Sequence, residues 1–266
     1  MHGAGKTLRL NRILEGKARR AVIIPMDHGV SNGPIEGIAD IHSTIRKVAE
    51  GGATAVVLHK GIVQGLPADF QSRIGIIIHL SASTSLGKAP DAKTLVSSVE
   101  ESIRLGADAV SVHINVGAET EKEMLLDLGT VAGDCIEWGI PLLAMAYPRG
   151  PNIKSQFDVD VVKHAARVAA ELGADLVKTN YTGTPEGFRE VVRGCTVPVV
   201  IAGGPKMKSD MDVLKMVKES IDAGGSGVSI GRNVFQHANV AAMTRAIAKI
   251  VLKGATAEEA AKELRQ

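Results

Sequence analysis

The chain has 266 residues, of which 45% are hydrophobic and 3% aromatic, so aliphatic side chains must fill its core. The 31 basic and 29 acidic residues give a formal net charge of +2, which gives no reason to expect nucleic acid or an anionic membrane as a partner. No apolar run approaches the roughly 20 residues of a membrane span. The cysteines, Cys135 and Cys195, form no CxxC pattern and suit a reducing cytoplasm, so we expect a cytoplasmic protein.

The first twenty residues are basic and contain no secretory apolar stretch. Gly5-Lys6-Thr7 is superficially similar to the end of a P-loop, but the earlier glycine of that motif would precede Met1 and no strand leads into it. We therefore predict no nucleotide site in this segment.

One phrase recurs along the chain, as Gly52-Ala53-Thr54, Gly106-Ala107-Asp108 and Gly173-Ala174-Asp175, with a degenerate copy at 224–228. Each copy follows an amphipathic helical pattern, and a glycine commonly ends a helix through a left-handed residue. Each copy also begins a short apolar strand. The recurrence indicates stacked βα units.

The apolar runs predict eight strands, near 21–26, 54–59, 75–80, 108–114, 141–147, 175–180, 197–202 and 227–231. Helical patterns separate them, for example at 92–105, 119–138, 159–172 and 210–223, and a charged helical tail follows at 257–265. Continuous apolar strands alternating with amphipathic helices indicate a parallel sheet covered on its outer face. We therefore predict an α/β fold, a single (β/α)8 TIM barrel over residues 1–266 with a C-terminal helical extension. An open doubly wound sheet is the alternative.

Polar residues concentrate at the carboxyl ends of these strands, which is where barrel enzymes place their active sites. The most informative is Lys178, near the end of the strand 175–180, because an unpartnered buried ammonium costs several kcal/mol. Desolvation lowers the pKa of a lysine and turns it into an amine able to attack a ketone and form an iminium ion. Asp27 and Tyr147, at the ends of other strands, are candidates for the proton transfers.

Three simpler interpretations stay open for these residues. Lys178 has the alternative of a structural ion pair with an aspartate inside the barrel. Asp27 taken alone is as well explained as a helix or loop cap. Lys60 competes as the reactive amine, although it directly precedes Gly61 and we expect it on a loop.

The last two strands end in glycine-rich loops that predict a phosphate site. Gly203-Gly204 leaves backbone N–H groups able to approach an anion, and Gly231-Arg232 opens a short helical segment with a guanidinium as charge partner. Barrels often bind phosphate with the loops after strands seven and eight.

His59, His79 and His113 end three consecutive predicted strands. Convergent histidines are able to hold a zinc or another divalent ion, which gives the rival enzyme interpretation of metal-assisted chemistry without a Schiff base. Hydrogen bonding within the polar top layer of the barrel is the alternative that we prefer, and we predict no metal.

Taken together, these residues resemble the archaeal class I aldolase family, which is built on the deoxyribose-phosphate-aldolase type of barrel. The resemblance covers nearly the whole chain and is carried by segments 25–34, 147–150, 178–181, 201–206 and 231–236. It implies that Lys178 is the Schiff-base lysine, Asp27 the proton acceptor and Tyr147 the proton donor, without a cofactor. The substrate contacts that it implies are Asp27, His28, Gly29, Tyr147, Pro148, Arg149, Lys178, Thr179 and Asn180, with phosphate contacts at Gly203, Gly204, Gly231 and Arg232.

The activity that the resemblance implies is a transaldol exchange. A phosphorylated keto sugar, 6-deoxy-5-ketofructose 1-phosphate, is cleaved, and the retained fragment is transferred to an aldehyde acceptor, L-aspartate 4-semialdehyde. The product feeds 3-dehydroquinate and aromatic amino-acid biosynthesis. The related archaeal fructose-1,6-bisphosphate aldolases, similar in the lysine, tyrosine and glycine loops, provide the alternative activity, and segment 26–37 favours the exchange. The resemblance also implies a large ring-shaped homo-oligomer of the decamer type.

Overall fold

The computed structural model of the protein describes residues 3–67 and 74–265, and its centre is a closed barrel of eight parallel strands. The barrel strands are β1 (Ala21–Pro25), β2 (Ala55–Leu58), β3 (Gly75–His79), β6 (Ala109–Val116), β7 (Leu142–Pro148), β8 (Leu176–Asn180), β9 (Val199–Ala202) and β10 (Gly227–Ser229). Strands β4 (Ser81–Ala82) and β5 (Thr94–Leu95) form a separate two-stranded sheet. Around the barrel the order is β1-β2-β3-β6-β7-β8-β9-β10, and β10 pairs with β1 to close it. The predicted TIM barrel is confirmed, and the open sheet is wrong because both of its edges would be unpaired.

Helices cover the outer face of the barrel. They are α1 (Ala4–Ile13), α2 (His28–Asn32), α3 (Ile41–Glu50), α4 (Lys60–Gln64), α5 (Val99–Arg104), α6 (Glu121–Glu137), α7 (Val159–Glu171), α8 (Pro185–Gly194), α9 (Asp210–Asp222), α10 (Arg232–Phe235), α11 (Val240–Lys253) and α12 (Ala257–Ala260), with a 3₁₀ helix at Ala261–Arg265. The helices predicted at 119–138, 159–172 and 210–223 correspond to α6, α7 and α9. The predicted tail helix is α-helical to Ala260 and 3₁₀-helical beyond it. In the part of the chain that the structure describes, no helix is both long and apolar enough to cross a bilayer.

The helix predicted at 92–105 is wrong in its first half. Helix α5 begins at Val99, because the Ser98 side chain accepts a hydrogen bond from the Glu101 N–H and caps the helix there. Ahead of it, β5 pairs antiparallel with β4. Segment 83–93 is therefore the connection of a small hairpin on the carboxyl side of β3.

The recurring glycine phrase has a double structural role. Gly52, Gly106 and Gly173 all have φ between +85° and +103°, which only glycine adopts readily, so each ends its helix as predicted. The polar residue two positions later binds the neighbouring strand. Asp108 Oδ2 accepts from the Ile76 N–H at 3.0 Å, and Asp175 Oδ2 accepts from the Leu142 N–H at 2.9 Å.

Helix α1 closes the amino end of the barrel. Leu10, Ile13 and Leu14 are buried with the inward-facing strand residues in one apolar cluster. Lys6 is buried as well, and its Nζ lies 2.8 Å from Asp175 Oδ2. The lysine of the Gly5-Lys6-Thr7 sequence is thus part of an internal ion pair, which explains its presence without a nucleotide.

Candidate active site

Lys178 lies inside the barrel, in the wall of a cavity of about 880 Å³ at the carboxyl ends of the strands. It shares its face of β8 with Leu176 and Asn180, since strand side chains alternate. The residue is 7% exposed. Within residues 3–67 and 74–265, no ion pair or hydrogen bond engages its ammonium. A buried amine that faces a cavity without a fixed partner is available to react with a ligand.

Asp27 lies opposite, directly after β1, and its carboxylate also lines the cavity. It precedes α2 but its side chain makes no cap hydrogen bond, so the capping interpretation is wrong. In the described part of the chain, Oδ1 is buried and accepts no hydrogen bond. Burial acts to raise the pKa of Asp27, but its interactions with His79, His28 and Lys178 outweigh burial, and the pKa of this carboxyl is lowered. Asp27 is therefore anionic at neutral pH and suited to accept a proton.

The histidines surround this carboxylate. His79 Nε2 lies 3.9 Å from Asp27 Oδ2, and His28 Nδ1 lies 3.7 Å from Oδ1. Burial lowers the pKa of His79 to about 4, although the charge of Asp27 acts in the opposite direction. Burial likewise lowers the pKa of His28, His59 and His113. Burial therefore favours the neutral form of these rings.

Two histidines of the predicted top layer have fixed hydrogen-bond partners. His79 Nδ1 lies 2.8 Å from Ser111 Oγ, and His113 Nε2 lies 2.9 Å from Asn115 Oδ1. Among the residues that the structure describes, no group of three or more His, Cys, Asp or Glu side chains has an arrangement that holds a metal ion. These hydrogen bonds fix the orientations of the His79 and His113 rings.

Tyr147 ends β7, the strand beside β8, and lines the same cavity. Met145 pairs with Lys178 in the register, so Tyr147 lies two residues nearer the cavity mouth than the lysine. Its ring packs against His113, with centroids 5.1 Å apart, and under the Arg149 guanidinium at 4.9 Å. The phenol is held between these groups at the height where a substrate on Lys178 would extend outward.

The glycine loops after β9 and β10 form an anion cradle, made of Gly203, Gly204, Ser229, Gly231 and Arg232, all of which line the cavity. Within the described residues, Arg232 Nε and Ser229 Oγ are buried without hydrogen-bond partners. The glycines are needed for space as well. A Cβ on Gly231 would lie 2.7 Å from Pro25 O, and one on Gly203 would lie 2.6 Å from Ile230 Cγ2. Buried unsatisfied donors next to open backbone suit a bound anion.

The remaining predicted site residues differ in position. His28, Arg149 and Asn180 line the cavity, and Asn180 Nδ2 donates to Gln156 O at 2.9 Å. Thr179 is fully buried on the opposite face of β8, because side chains alternate along a strand, so its hydroxyl is directed away from the cavity. Gly29 lies in α2, outside the lining, and Pro148 borders a small neighbouring cavity. Lys60 begins α4 rather than lying on a loop, and it pairs with Glu101 at 3.0 Å.

The sequence analysis missed cavity residues that come from the hairpin connection. Asp91 and Lys93 line the cavity, and Asn115 Nδ2 fixes the segment by donating to Asp91 O at 2.7 Å. The assignment of 92–105 to one helix hid Lys93, and Asp91 directly precedes that range. The available signal was Ser97-Ser98 before two glutamates, which is typical of a helix start at that point.

Comparisons with known proteins agree with this geometry. A model of the DeoC/LacD family aldolases matches residues 21–237. The curated 2-amino-3,7-dideoxy-D-threo-hept-6-ulosonate synthase of Halobacterium salinarum is 45% identical over 260 residues, which are 98% of this chain and 96% of that protein. The 2-amino-4,5-dihydroxy-6-oxo-7-(phosphonooxy)heptanoate synthase of Streptomyces griseus is 41% identical over 251 residues, covering 94% and 92% of the two chains.

Solved structures of aldolases are also similar to this chain. An archaeal fructose 1,6-bisphosphate aldolase superposes with a TM-score of 0.87 at 32% identity, covering 94% of this chain and 100% of the other. Another solved structure of an archaeal fructose-1,6-bisphosphate aldolase, with its catalytic lysine covalently bound to the carbinolamine intermediate, gives a TM-score of 0.85 at 32% identity, with coverages of 92% and 99%. This chain is therefore similar to proteins that react through a lysine.

Proposed function

Because the chain belongs to the DeoC/LacD family of aldolases, we propose that it is a transaldolase-type synthase that works through a Schiff base on Lys178. Its donor is 6-deoxy-5-ketofructose 1-phosphate and its acceptor is L-aspartate 4-semialdehyde. The product is 2-amino-3,7-dideoxy-D-threo-hept-6-ulosonate, the compound that names the Halobacterium salinarum relative, and it supplies 3-dehydroquinate and aromatic amino-acid biosynthesis. The observation that carries the proposal is the buried, cavity-facing Lys178, whose ammonium has no fixed partner among the residues that the structure describes.

The proposed reaction begins when the Lys178 amine adds to the donor ketone. Loss of water from the carbinolamine gives an iminium ion, which draws electrons from the neighbouring bonds. Removal of a proton from the hydroxyl on the β-carbon, two carbons from the imine carbon, then breaks the C–C bond between the α- and β-carbons. Its electron pair forms an enamine on Lys178, and the other fragment leaves as an aldehyde. Asp27, anionic and in the same cavity, is the proton acceptor that we assign.

The second half runs in the opposite direction with a different aldehyde. The enamine carbon bonds to the aldehyde carbon of the acceptor, and the new alkoxide takes a proton, which we assign to Tyr147. Water then hydrolyses the iminium ion, releases the product and restores the free amine. We assign His28, Arg149 and Asn180 to substrate binding in both halves, and Gly203, Gly204, Gly231 and Arg232 to the donor phosphate, which leaves with the aldehyde fragment in the first half.

The test is borohydride trapping followed by peptide mass spectrometry. Wild-type protein incubated with the donor should yield a reduced adduct on the peptide that contains Lys178, and the Lys178→Ala variant should yield none. Product formation with aspartate semialdehyde identifies the synthase. An active enzyme that forms no adduct on Lys178 would refute the Schiff-base mechanism.

A second candidate, a class I fructose-1,6-bisphosphate aldolase, is favoured by one specific observation. Among the described residues, the anion cradle has donors without hydrogen-bond partners in the cavity of Lys178, and these donors suit the phosphate that such an aldolase binds next to the imine carbon. The printed product names of the two curated relatives differ at C7, the carbon next to the C6 carbonyl, since one is 7-deoxy and the other carries a 7-phosphonooxy group. Turnover of fructose 1,6-bisphosphate without an amino-aldehyde acceptor would select the aldolase.

We further propose that the whole chain acts as one domain in the cytoplasm, and that it assembles into a large ring-shaped homo-oligomer. Light scattering after size-exclusion chromatography measures the subunit number directly. A monomer at micromolar concentration would contradict the assembly proposal.

A further inference from the structure

Three charged side chains meet at the mouth of the cavity, on the side of Tyr147. We name Asp91, Lys93 and Arg149 the mouth cluster. Asp91 and Lys93 lie in or next to the hairpin connection between β4 and β5, and Arg149 directly follows β7. All of them line the cavity that contains Lys178.

Hydrogen bonds hold Lys93 of the mouth cluster in place, whereas the ion pair between Arg149 and Asp91 is open to solvent. Lys93 Nζ donates to Ser83 Oγ and, at 3.2 Å, to Pro90 O. Arg149 Nη1 lies 3.3 Å from Asp91 Oδ1, and the side chains of this pair are 37% and 61% exposed. Such an open ion pair is worth about 0–1 kcal/mol, so a ligand can rearrange it at little cost.

Positive charge exceeds negative charge in the cluster. Two cations face one carboxylate, and Lys93 is partly desolvated. Burial and the nearby Arg149 lower the pKa of Lys93, whereas Asp91 acts to raise it. An additional anion bound between Lys93 and Arg149 would relieve their repulsion, and Asp91 would remain available for a cationic group.

The acceptor in the proposed function has this combination of charges. L-Aspartate 4-semialdehyde carries an aldehyde at one end and an α-ammonium and α-carboxylate at the other. The products named for both curated relatives are 2-amino acids, which requires that this head group enter intact. If Tyr147 protonates the new alkoxide, the aldehyde carbon lies beside its phenol and the head group extends outward. Arg149 stacks on that phenol ring, so the mouth cluster lies within reach.

We propose that the mouth cluster is the subsite for the acceptor's amino-acid head group. Lys93 and Arg149 bind the α-carboxylate, and Asp91 binds the α-ammonium and selects an amino-aldehyde over an aldehyde without that group. This assignment rests on the proposed function and names the residues that determine its acceptor specificity. Asp91 and Lys93 are binding residues here and take no part in imine formation on Lys178.

The experiment compares two acceptors, L-aspartate 4-semialdehyde and succinic semialdehyde, which lacks the amino group. Wild type should prefer the amino-aldehyde in kcat/KM by about 10- to 100-fold, the range expected for one hydrogen-bonded charge pair. Asp91→Asn should reduce this ratio to near unity, because the variant loses the ammonium partner while the cations still bind the shared carboxylate. Lys93→Met should raise the KM of both acceptors by about tenfold or more.

Matched controls come from the opposite rim of the same cavity, where Asp212 and Lys215 are exposed. Asp212→Asn and Lys215→Met change the same charges and should keep the wild-type ratio and KM values. Borohydride trapping of the donor on Lys178 should be unchanged in Asp91→Asn, which shows that the fold and the first half-reaction are intact.

The outcomes separate the two proposals. An Asp91→Asn variant that keeps the wild-type preference, or a Lys93→Met variant with unchanged KM values, would overturn the subsite assignment while the synthase function stands. Wild-type protein that forms the imine but no product with aspartate semialdehyde would refute the synthase function, and the subsite assignment with it.

Discussion

Replacing His79 by glutamine should make the protein less sensitive to mild acid than the wild type is. The His79 ring is 4% exposed and lies beside Asp27 and His59. Burial lowers its pKa to about 4, against about 6.5 in the unfolded chain. Below pH 6.5 the unfolded state therefore binds a proton that the folded state refuses. His79 therefore lowers the free energy of unfolding progressively as the pH falls from 6.5 towards 4.

The magnitude follows from proton linkage. With pKa values of about 6.5 unfolded and about 4 folded, His79 alone reduces the free energy of unfolding by about 2 kcal/mol between pH 7 and pH 5. The reduction reaches about 3 kcal/mol at pH 4. A total stability of about 5–15 kcal/mol is typical of folded proteins, so the effect is large enough to measure.

Urea unfolding at pH 7 and at pH 5 measures this difference. The loss of free energy of unfolding between the two pH values should be about 2 kcal/mol smaller for His79→Gln than for wild type. The variant is also expected to be less stable at pH 7, since it loses the hydrogen bond to Ser111, but that cost cancels in the comparison. His164→Gln, on the exposed face of α7, is the control and should keep the wild-type pH dependence. Parallel pH dependences for wild type and His79→Gln would refute the reasoning.

Three further substitutions test the catalytic and structural assignments. Tyr147→Phe should lower kcat by about 10²–10⁴-fold in a steady-state assay, because the assigned proton donor is lost, while imine trapping persists. Gly231→Ala should destabilise the fold by about 1–3 kcal/mol in thermal unfolding, since its Cβ would lie 2.7 Å from Pro25 O. Lys6→Met should cost about 3 kcal/mol in urea unfolding, because it removes the buried ammonium that lies 2.8 Å from Asp175.

Each of these results has a matched comparison. An unchanged kcat would remove Tyr147 from the mechanism. Gly61→Ala places a Cβ with nothing within 4 Å, so equal melting temperatures for the Gly61 and Gly231 variants would contradict the packing argument. Arg12 pairs with Asp108 at the same 2.8 Å but is 61% exposed, and Arg12→Met should cost less than Lys6→Met. Equal costs would show that burial does not decide the value of the pair.

The sequence alone determined the barrel and singled out Lys178 as the candidate reactive residue. Apolar strands alternating with glycine-ended helices are a local pattern, and each strand position could be predicted because its burial on both faces requires a continuous apolar run. Lys178 stood out for the same reason, since a charged residue in such a run breaks the pattern. Asp27 and Tyr147 became candidates because they lie at strand ends, and barrel active sites gather at the carboxyl ends of the strands.

The tertiary structure decided what depends on contacts between distant segments. The helix α1 that closes the barrel uses Lys6 against Asp175, and the hairpin that carries Asp91 and Lys93 is anchored by Asn115. Residues so far apart in the chain leave no periodic signal, because their pairing depends on closure of the whole barrel. Local hydrophobic patterning therefore specified the barrel and its lysine, whereas the charges that surround a substrate were set by long-range packing.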